Sequence, residues 1–127
     1  DIMLKGNKVP LIQSNNNIDK ALKIISKKNL GIGIITKKKN VIGIVTDGDI
    51  RRGSKNYSDK TKITSLMTKK PLFVGENVSA EKALSIMSDK KITSLIVSSD
   101  LDYKKRRAIF KPKGILHIHS LLKYGMR

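Results

Sequence analysis

Apolar positions along the first fifty residues switch between short continuous runs and one helical stripe. Val9 to Ile12 is a short extended apolar run that contains Pro10, a residue tolerated at a strand start or edge. Asn15-Asn16-Asn17 supplies turn and capping residues. Beyond it Ile18, Ala21, Leu22 and Ile25 fall at i, i+3, i+4 and i+7, one face of a 3.6-residue period. Asn17 is placed to cap that helix, and Lys27-Lys28 suits the C-terminal end of its dipole. Gly31 to Ile35 is too short for a helix and rich in β-branched residues, so it reads as a buried strand. Lys37 to Asn40 turns the chain, and Val41 to Thr46 is a second buried strand. Asp47-Gly48-Asp49 then leads into a short helix through Arg52.

The pattern recurs. Lys20-Ala21-Leu22 aligns with Lys82-Ala83-Leu84 at an offset of 62 residues, and the same offset pairs Asn15 with Asn77, Asp19 with Glu81 and Ile34 with Ile96. Pro71 to Val74 is the early strand of the copy, Ser79 caps a helix over Ala80 to Lys90, and Ser94 to Ser98 is the next strand. Gly114-Ile115-Leu116-His117 answers Gly43-Ile44-Val45-Thr46 at an offset of 71, so the copy carries about nine extra residues, placed within Asp100 to Lys113 as a charged loop or long hairpin. The prediction is an α/β (α+β) chain of two β-α-β-β-α repeats packed with pseudo-two-fold symmetry. Residues 1–57 form the first repeat, with a linker over residues 1–8, and residues 58–127 form the second, with the insertion around 100–113. Each repeat lays two helices on one face of a small sheet and leaves an apolar face for the other to cover. Clefts between such repeats are where small ligands bind.

Composition narrows the possible functions. At 127 residues the chain is one compact domain or two very small ones, and 39% apolar residues suffice for a core. Cys is absent, which removes disulfides, thiol nucleophiles and Cys-ligated zinc. No apolar run approaches the ~20 residues of a membrane span and no signal peptide is visible, so the expected compartment is the cytoplasm and no membrane partner is expected. Beginning at Asp1 rather than Met, the chain reads as a piece of a longer protein. The net charge of +17 invites a nucleic-acid reading. Its distribution opposes that reading: the bursts at Lys27-Lys28, Lys37-Lys38-Lys39, Lys69-Lys70, Lys90-Lys91 and Lys104-Lys105-Arg106-Arg107 are scattered, and aromatics are only 4%. No nucleic-acid partner is expected, while attraction to small phosphorylated ligands remains.

Two segments carry candidate chemistry. Thr46-Asp47-Gly48-Asp49-Ile50-Arg51-Arg52 stands where a strand ends and a helix begins. A hydroxyl at Thr46 and a carboxylate three residues on can hydrogen-bond a sugar diol or phosphate, and Arg51 and Arg52 can engage phosphate or carboxylate. The plainer reading uses the same groups as a helix cap: Thr46 or Asp47 caps, Asp49 answers the dipole, and the arginines are surface. His117-Ile118-His119 brings two imidazoles together, half of a metal site, but no Cys and no evident third ligand accompany them, so no metal is expected. No nucleophile stands beside a base and no phosphate-binding G-x-x-x-x-G-K-[ST] loop is present, so no catalytic residue is assigned.

The repeat resembles a tandem pair of cystathionine-β-synthase (CBS) domains, a Bateman module, on Gly43-Ile44-Val45-Thr46-Asp47-Gly48-Asp49 and Gly114-Ile115-Leu116-His117-Ile118-His119-Ser120. The resemblance implies a nucleotide site in which Thr46 meets phosphate or sugar and Asp49 meets ribose hydroxyls; with Asp47, Arg51 and Arg52 from the reading of the segment itself, these are the expected ligand-binding residues. In the copy His117 and Ser120 stand at the two key positions, so a second cleft at His117, His119 and Ser120 departs from the pattern. Asp1 to Pro10, Thr46 to Arg52, Lys91 to Leu95 and Gly114 to His119 further resemble the C-terminal half of bacterial D-arabinose-5-phosphate isomerases, which serve Kdo synthesis for lipopolysaccharide or capsule. That resemblance implies a regulatory, non-catalytic part of a sugar-phosphate isomerase, behind an N-terminal sugar-isomerase domain and within a homo-oligomer such as a dimer. No required cofactor is expected, and the regulatory ligand is expected to be AMP, ATP, CMP or a CMP-sugar, a nucleotide or nucleotide-sugar in the cleft between repeats. A purely structural oligomerisation module and the CBS appendage of a sugar nucleotidyltransferase are the alternatives.

Overall fold

The structure, a computed structural model, describes residues 3–53, 56–58, 60–69, 71–99 and 112–125. In chain order the first set of elements is β1 (Leu11–Gln13), α1 (Ile18–Lys28), β2 (Ile32–Lys37), β3 (Asn40–Thr46), α2 (Asp47–Gly53) and β4 (Thr68–Lys69). The second set is β5 (Phe73–Gly75), α3 (Ala80–Lys90), β6 (Ser94–Ser98), β7 (Gly114–His117) and α4 (Ile118–Gly125). The fold is mixed α/β, with two small sheets and four helices among the described residues.

Capping fixes both long helices. Asn17 Oδ1 accepts from the Lys20 N–H at 2.9 Å, and Ser79 Oγ accepts from the Lys82 N–H at 3.0 Å. Each helix ends on a left-handed residue, Asn29 at φ 59° and Lys91 at φ 56°. On α1 the stripe turns away from the expected one. Ala21 and Ile25 are buried, but Leu22 is 40% exposed and Ile24 packs on the core in its place. The apolar arc of α1 is wide enough that tertiary contacts choose which side faces inward.

In the first sheet, ordered β1-β2-β3-β4, β1 and β2 are parallel and the other pairs antiparallel. β1 starts later than the apolar run suggests. Val9 closes a turn by donating to the Gly6 carbonyl, and Pro10 has no N–H, offering only its carbonyl to the Ile34 N–H at 2.8 Å. The turn between β2 and β3 is tighter than Lys37 to Asn40, because those two residues pair and leave Lys38 and Lys39 as a two-residue loop. The second sheet is β5-β6-β7, parallel then antiparallel, and Leu4 adds an antiparallel bridge to Ile115.

Contacts divide the chain into two units, Pro10–Pro71 and Asp1–Val9 together with Leu72–Arg127. Sequence repeat and contact unit part at different places. The pairing of β4 with β3 holds the chain beyond residue 57 in the first unit, and the Leu4 bridge ties the leading linker to the second. The first core gathers Ile12, Ala21, Ile25, Ile35, Val45, Ile50 and Ile63; the second gathers Val74, Ala83, Met87, Leu95, Val97, Leu116 and Leu121. Apart from Pro112 and Lys113, the insertion around 100–113 lies outside the described residues, as does the Lys104–Arg107 run.

Candidate functional site

Val45 anchors the end of β3 in the first core and Ile50 anchors α2, so the turn between them is held from both sides. Within it Thr46 and Asp49 bond reciprocally. Thr46 Oγ1 accepts from the Asp49 N–H at 3.1 Å, and Asp49 Oδ2 accepts from the Thr46 N–H at 2.9 Å. This is a capping box built from Thr and Asp, which satisfies two backbone donors that helix geometry leaves without partners. The other carboxylate oxygen, Oδ1, accepts from Arg52 Nη2 at 2.7 Å. Asp47 is exposed, and its N–H donates to the Gly31 carbonyl at 3.0 Å.

Gly48 is the point on which these groups converge. A Cβ built there would lie 3.2 Å from Arg52 Nη1, 3.6 Å from Thr46 Oγ1 and 3.7 Å from Arg51 Nη2. Both guanidinium groups and the hydroxyl thus gather over one residue that has no side chain. Thr46, Asp49, Arg51 and Arg52 are brought together; Asp47 stands apart on the surface. Gly31, at φ +72°, was not anticipated as a neighbour of this turn, yet a Cβ on it would meet Asp47 Oδ1 at 3.7 Å. Its sequence signal is a glycine just before a β-branched run.

The matching turn of the second repeat is built otherwise. His117 Nδ1 accepts from the His119 N–H at 3.2 Å, so an imidazole caps α4 in place of the reciprocal box. The two rings meet edge to face with centroids 4.7 Å apart. His117 is buried, and burial, then the neighbouring His119, lowers its pKa below the ordinary 6.5. Ser120 lies in the first turn of α4, half-buried. Among the described residues no group of three or more His, Cys, Asp or Glu is placed to hold a metal ion.

A second concave feature was not foreseen from the sequence. A cavity of about 430 Å³ lies within the second unit, lined by Val78, Ser79 and Ala80 at the start of α3, by Val97 and Leu116 of its sheet, and by Met3, Glu76 and Tyr124. Among the described residues no helix is long and apolar enough to cross a membrane.

Comparison with known proteins matches the CBS domain family twice, over residues 1–56 and 63–127. The chain belongs to the CBS-domain family. Along its whole length it is similar to "Arabinose 5-phosphate isomerase KdsD" of Francisella tularensis, 33% identical over 129 residues covering 100% of this chain and 37% of that protein. The KdsD of Escherichia coli K12 is likewise 33% identical, with 99% and 37% covered. "Uncharacterized protein RP505" of Rickettsia prowazekii is 35% identical over 127 residues, with 99% and 37% covered. The CBS pair therefore spans little more than a third of the curated relatives it matches. Solved CBS structures share the fold. The MJ0100 CBS pair in complex with 5-methylthioadenosine and S-adenosyl-L-methionine superposes at TM-score 0.80, 24% identity and 100% and 95% coverage. CBSX2 in complex with AMP gives TM-score 0.77, 21% identity and 99% and 93% coverage.

Proposed function

We propose that this CBS pair is the regulatory, ligand-sensing C-terminal part of a D-arabinose-5-phosphate isomerase in the cytoplasm. Catalysis belongs to a sugar-isomerase domain upstream in the same chain, and the CBS pair helps hold a homo-oligomer. The ligand is a nucleotide or nucleotide-sugar, of the class AMP, ATP, CMP or a CMP-sugar, held by Thr46, Asp49, Arg51 and Arg52. The supporting observation is the convergence over Gly48, where a hydroxyl and two guanidinium groups stand beside a carboxylate. Guanidinium groups suit phosphate or carboxylate oxygens, and a carboxylate suits ribose hydroxyls. The whole-length likeness to KdsD supports the parent enzyme, and the AMP bound by CBSX2, with the adenosine-containing ligands of the MJ0100 pair beside it, supports the ligand class.

One observation favours a second reading, a purely structural module. Both oxygens of Asp49 are already bonded within the turn. A thermal-shift screen of AMP, ATP, CMP and CMP-sugars separates the two. A ligand that binds only the folded form, at a hundred times its Kd, stabilises by about 2.7 kcal/mol and raises the melting temperature. If no nucleotide moves the melting temperature, the sensing role falls and the structural reading stands.

A further inference from the structure

We infer that the cavity of the second unit is the docking site for an apolar side chain of the segment immediately upstream of Asp1. This rests on the reading above that the CBS pair is the C-terminal part of a longer chain. The argument is a comparison of the two units, each taken by itself. In the first, the residues at the start of α1 are crossed by the chain leading into β4. The Ile63 N–H donates to the Asn16 carbonyl at 2.9 Å, the Ile18 N–H donates to the Thr61 carbonyl at 3.0 Å, and Lys62 bridges Asn17. Ile63 is thereby driven into the core, where it is 0% exposed.

At the offset of 62, Asn16, Asn17, Ile18 and Ile35 correspond to Val78, Ser79, Ala80 and Val97, and at the offset of 71 Val45 corresponds to Leu116; all five residues of the copy line the cavity. Among the described residues the two cores match member for member in six positions; Ile63 has no counterpart in the second, and Leu95, at the position of Gly33, has none in the first. The cavity thus occupies the place that Ile63 fills in the first unit.

The register shows where the missing side chain comes from. Thr68 pairs with Ile44, and Leu4 pairs with Ile115, the residue matching Ile44. The preceding methionines agree: Met67 Sδ lies 2.7 Å from a Cβ built on Gly43, and Met3 crowds the same position on Gly114. Leu4 therefore answers Thr68, and counting back at that register the residue answering Ile63 is the one two before Asp1. Its flanking backbone partners are the Val78 carbonyl and the Ala80 N–H.

Three N-terminal extensions of the chain test this: Thr-Lys-Ile-Thr, copied from Thr61–Thr64; the same with Asp for Ile; and the native upstream residues read from the gene. The Ile extension raises the melting temperature by about 4 °C or more over the Asp extension, and exchange of the Ala80 amide slows. The native extension does the same and carries an apolar residue two before Asp1. Equal melting temperatures for Ile and Asp, a polar native residue at that position, or a small molecule co-purifying in the cavity each overturn the inference. An upstream frame that encodes no sugar-isomerase domain sinks the proposed parent enzyme, and the Ile-against-Asp comparison still reads the cavity by itself.

Discussion

Asp49 closes the turn of the first repeat and, in the proposed function, also meets the ligand; substitutions can separate the two. Asp49→Ala removes the acceptor of the Thr46 N–H and the carboxylate that meets Arg52. The first loss leaves a half-buried backbone donor short of a partner, worth about 1 kcal/mol. The second is small, because the Arg52 side chain is 75% exposed and pairs of that kind contribute about 0.2–1 kcal/mol. Removing a negative charge from a first helical turn costs about 0.3–1 kcal/mol, and the better helix propensity of Ala returns roughly half of one. The net expectation is a loss of about 1–2 kcal/mol, read by urea denaturation. Asp49→Asn keeps an oxygen for the Thr46 N–H and drops the charge, so its stability stays within about 1 kcal/mol of the parent. Its affinity for the best nucleotide from the screen nonetheless falls about ten- to a hundredfold, because charge-assisted bonds worth roughly 1.5–3 kcal/mol are lost. Because the two bonds are reciprocal, Thr46→Val and Asp49→Ala are also non-additive, by about 0.5 kcal/mol or more. Strict additivity would refute the box as a unit. Unchanged affinity in a folded Asp49→Asn protein would refute Asp49 as a ligand residue.

The remaining expectations concern single elements. Lys38 and Lys39 occupy both central positions of the β2–β3 loop at φ 50° and 68°, where Asn-Gly is favoured, so Lys38→Asn with Lys39→Gly raises stability by about 1 kcal/mol in thermal or urea unfolding. Ser94 Oγ is buried with no hydrogen-bond partner among the described residues, so Ser94→Ala is neutral or stabilising by about 1 kcal/mol, and a clear destabilisation counts against the burial. His117 has its pKa lowered in the fold. Its contribution to stability is therefore present above the unfolded value near 6.5 and is lost as pH falls through the lowered value. His117→Asn keeps a capping acceptor and removes that part of the pH dependence; superimposable stability–pH curves for the two proteins would refute the histidine cap.

The helices were legible because their ends carry their own chemistry. Asn17 and Ser79 are good caps in any context, and the structure bonds both as such. The buried strands were legible from continuous β-branched runs. What sequence did not show depends on long-range partners. β4 is two exposed residues, Thr68 and Lys69, with no pattern of their own, and exists because Gly43 and Ile44 offer it a sheet edge. Leu22 read as core because period alone cannot choose a side of a wide apolar arc. The capping role of His117 was hidden for a related reason: proximity of two histidines can be read from spacing, but not which ring is buried, and burial is what lowers the His117 pKa and favours the neutral, accepting form.

At Thr46 to Arg52 the capping and binding readings remained side by side because they call on the same atoms, and the geometry makes them compatible. A hydroxyl oxygen has two lone pairs and a carboxylate about four, so the box and the Arg52 pair leave acceptor capacity on both Thr46 and Asp49. The guanidinium groups over Gly48 supply the donors. A ligand that carries both a phosphate and a diol requires such a mixture of donors and acceptors in one turn. In the second repeat the corresponding positions hold an imidazole, already used as an acceptor by the His119 N–H, and a serine hydroxyl. His117 to Ser120 contains neither carboxylate nor guanidinium, so it can complement neither half of such a ligand with opposite charge. On these terms the proposed nucleotide belongs to the turn of the first repeat, while the matching turn of the second closes its helix with a neutral ring.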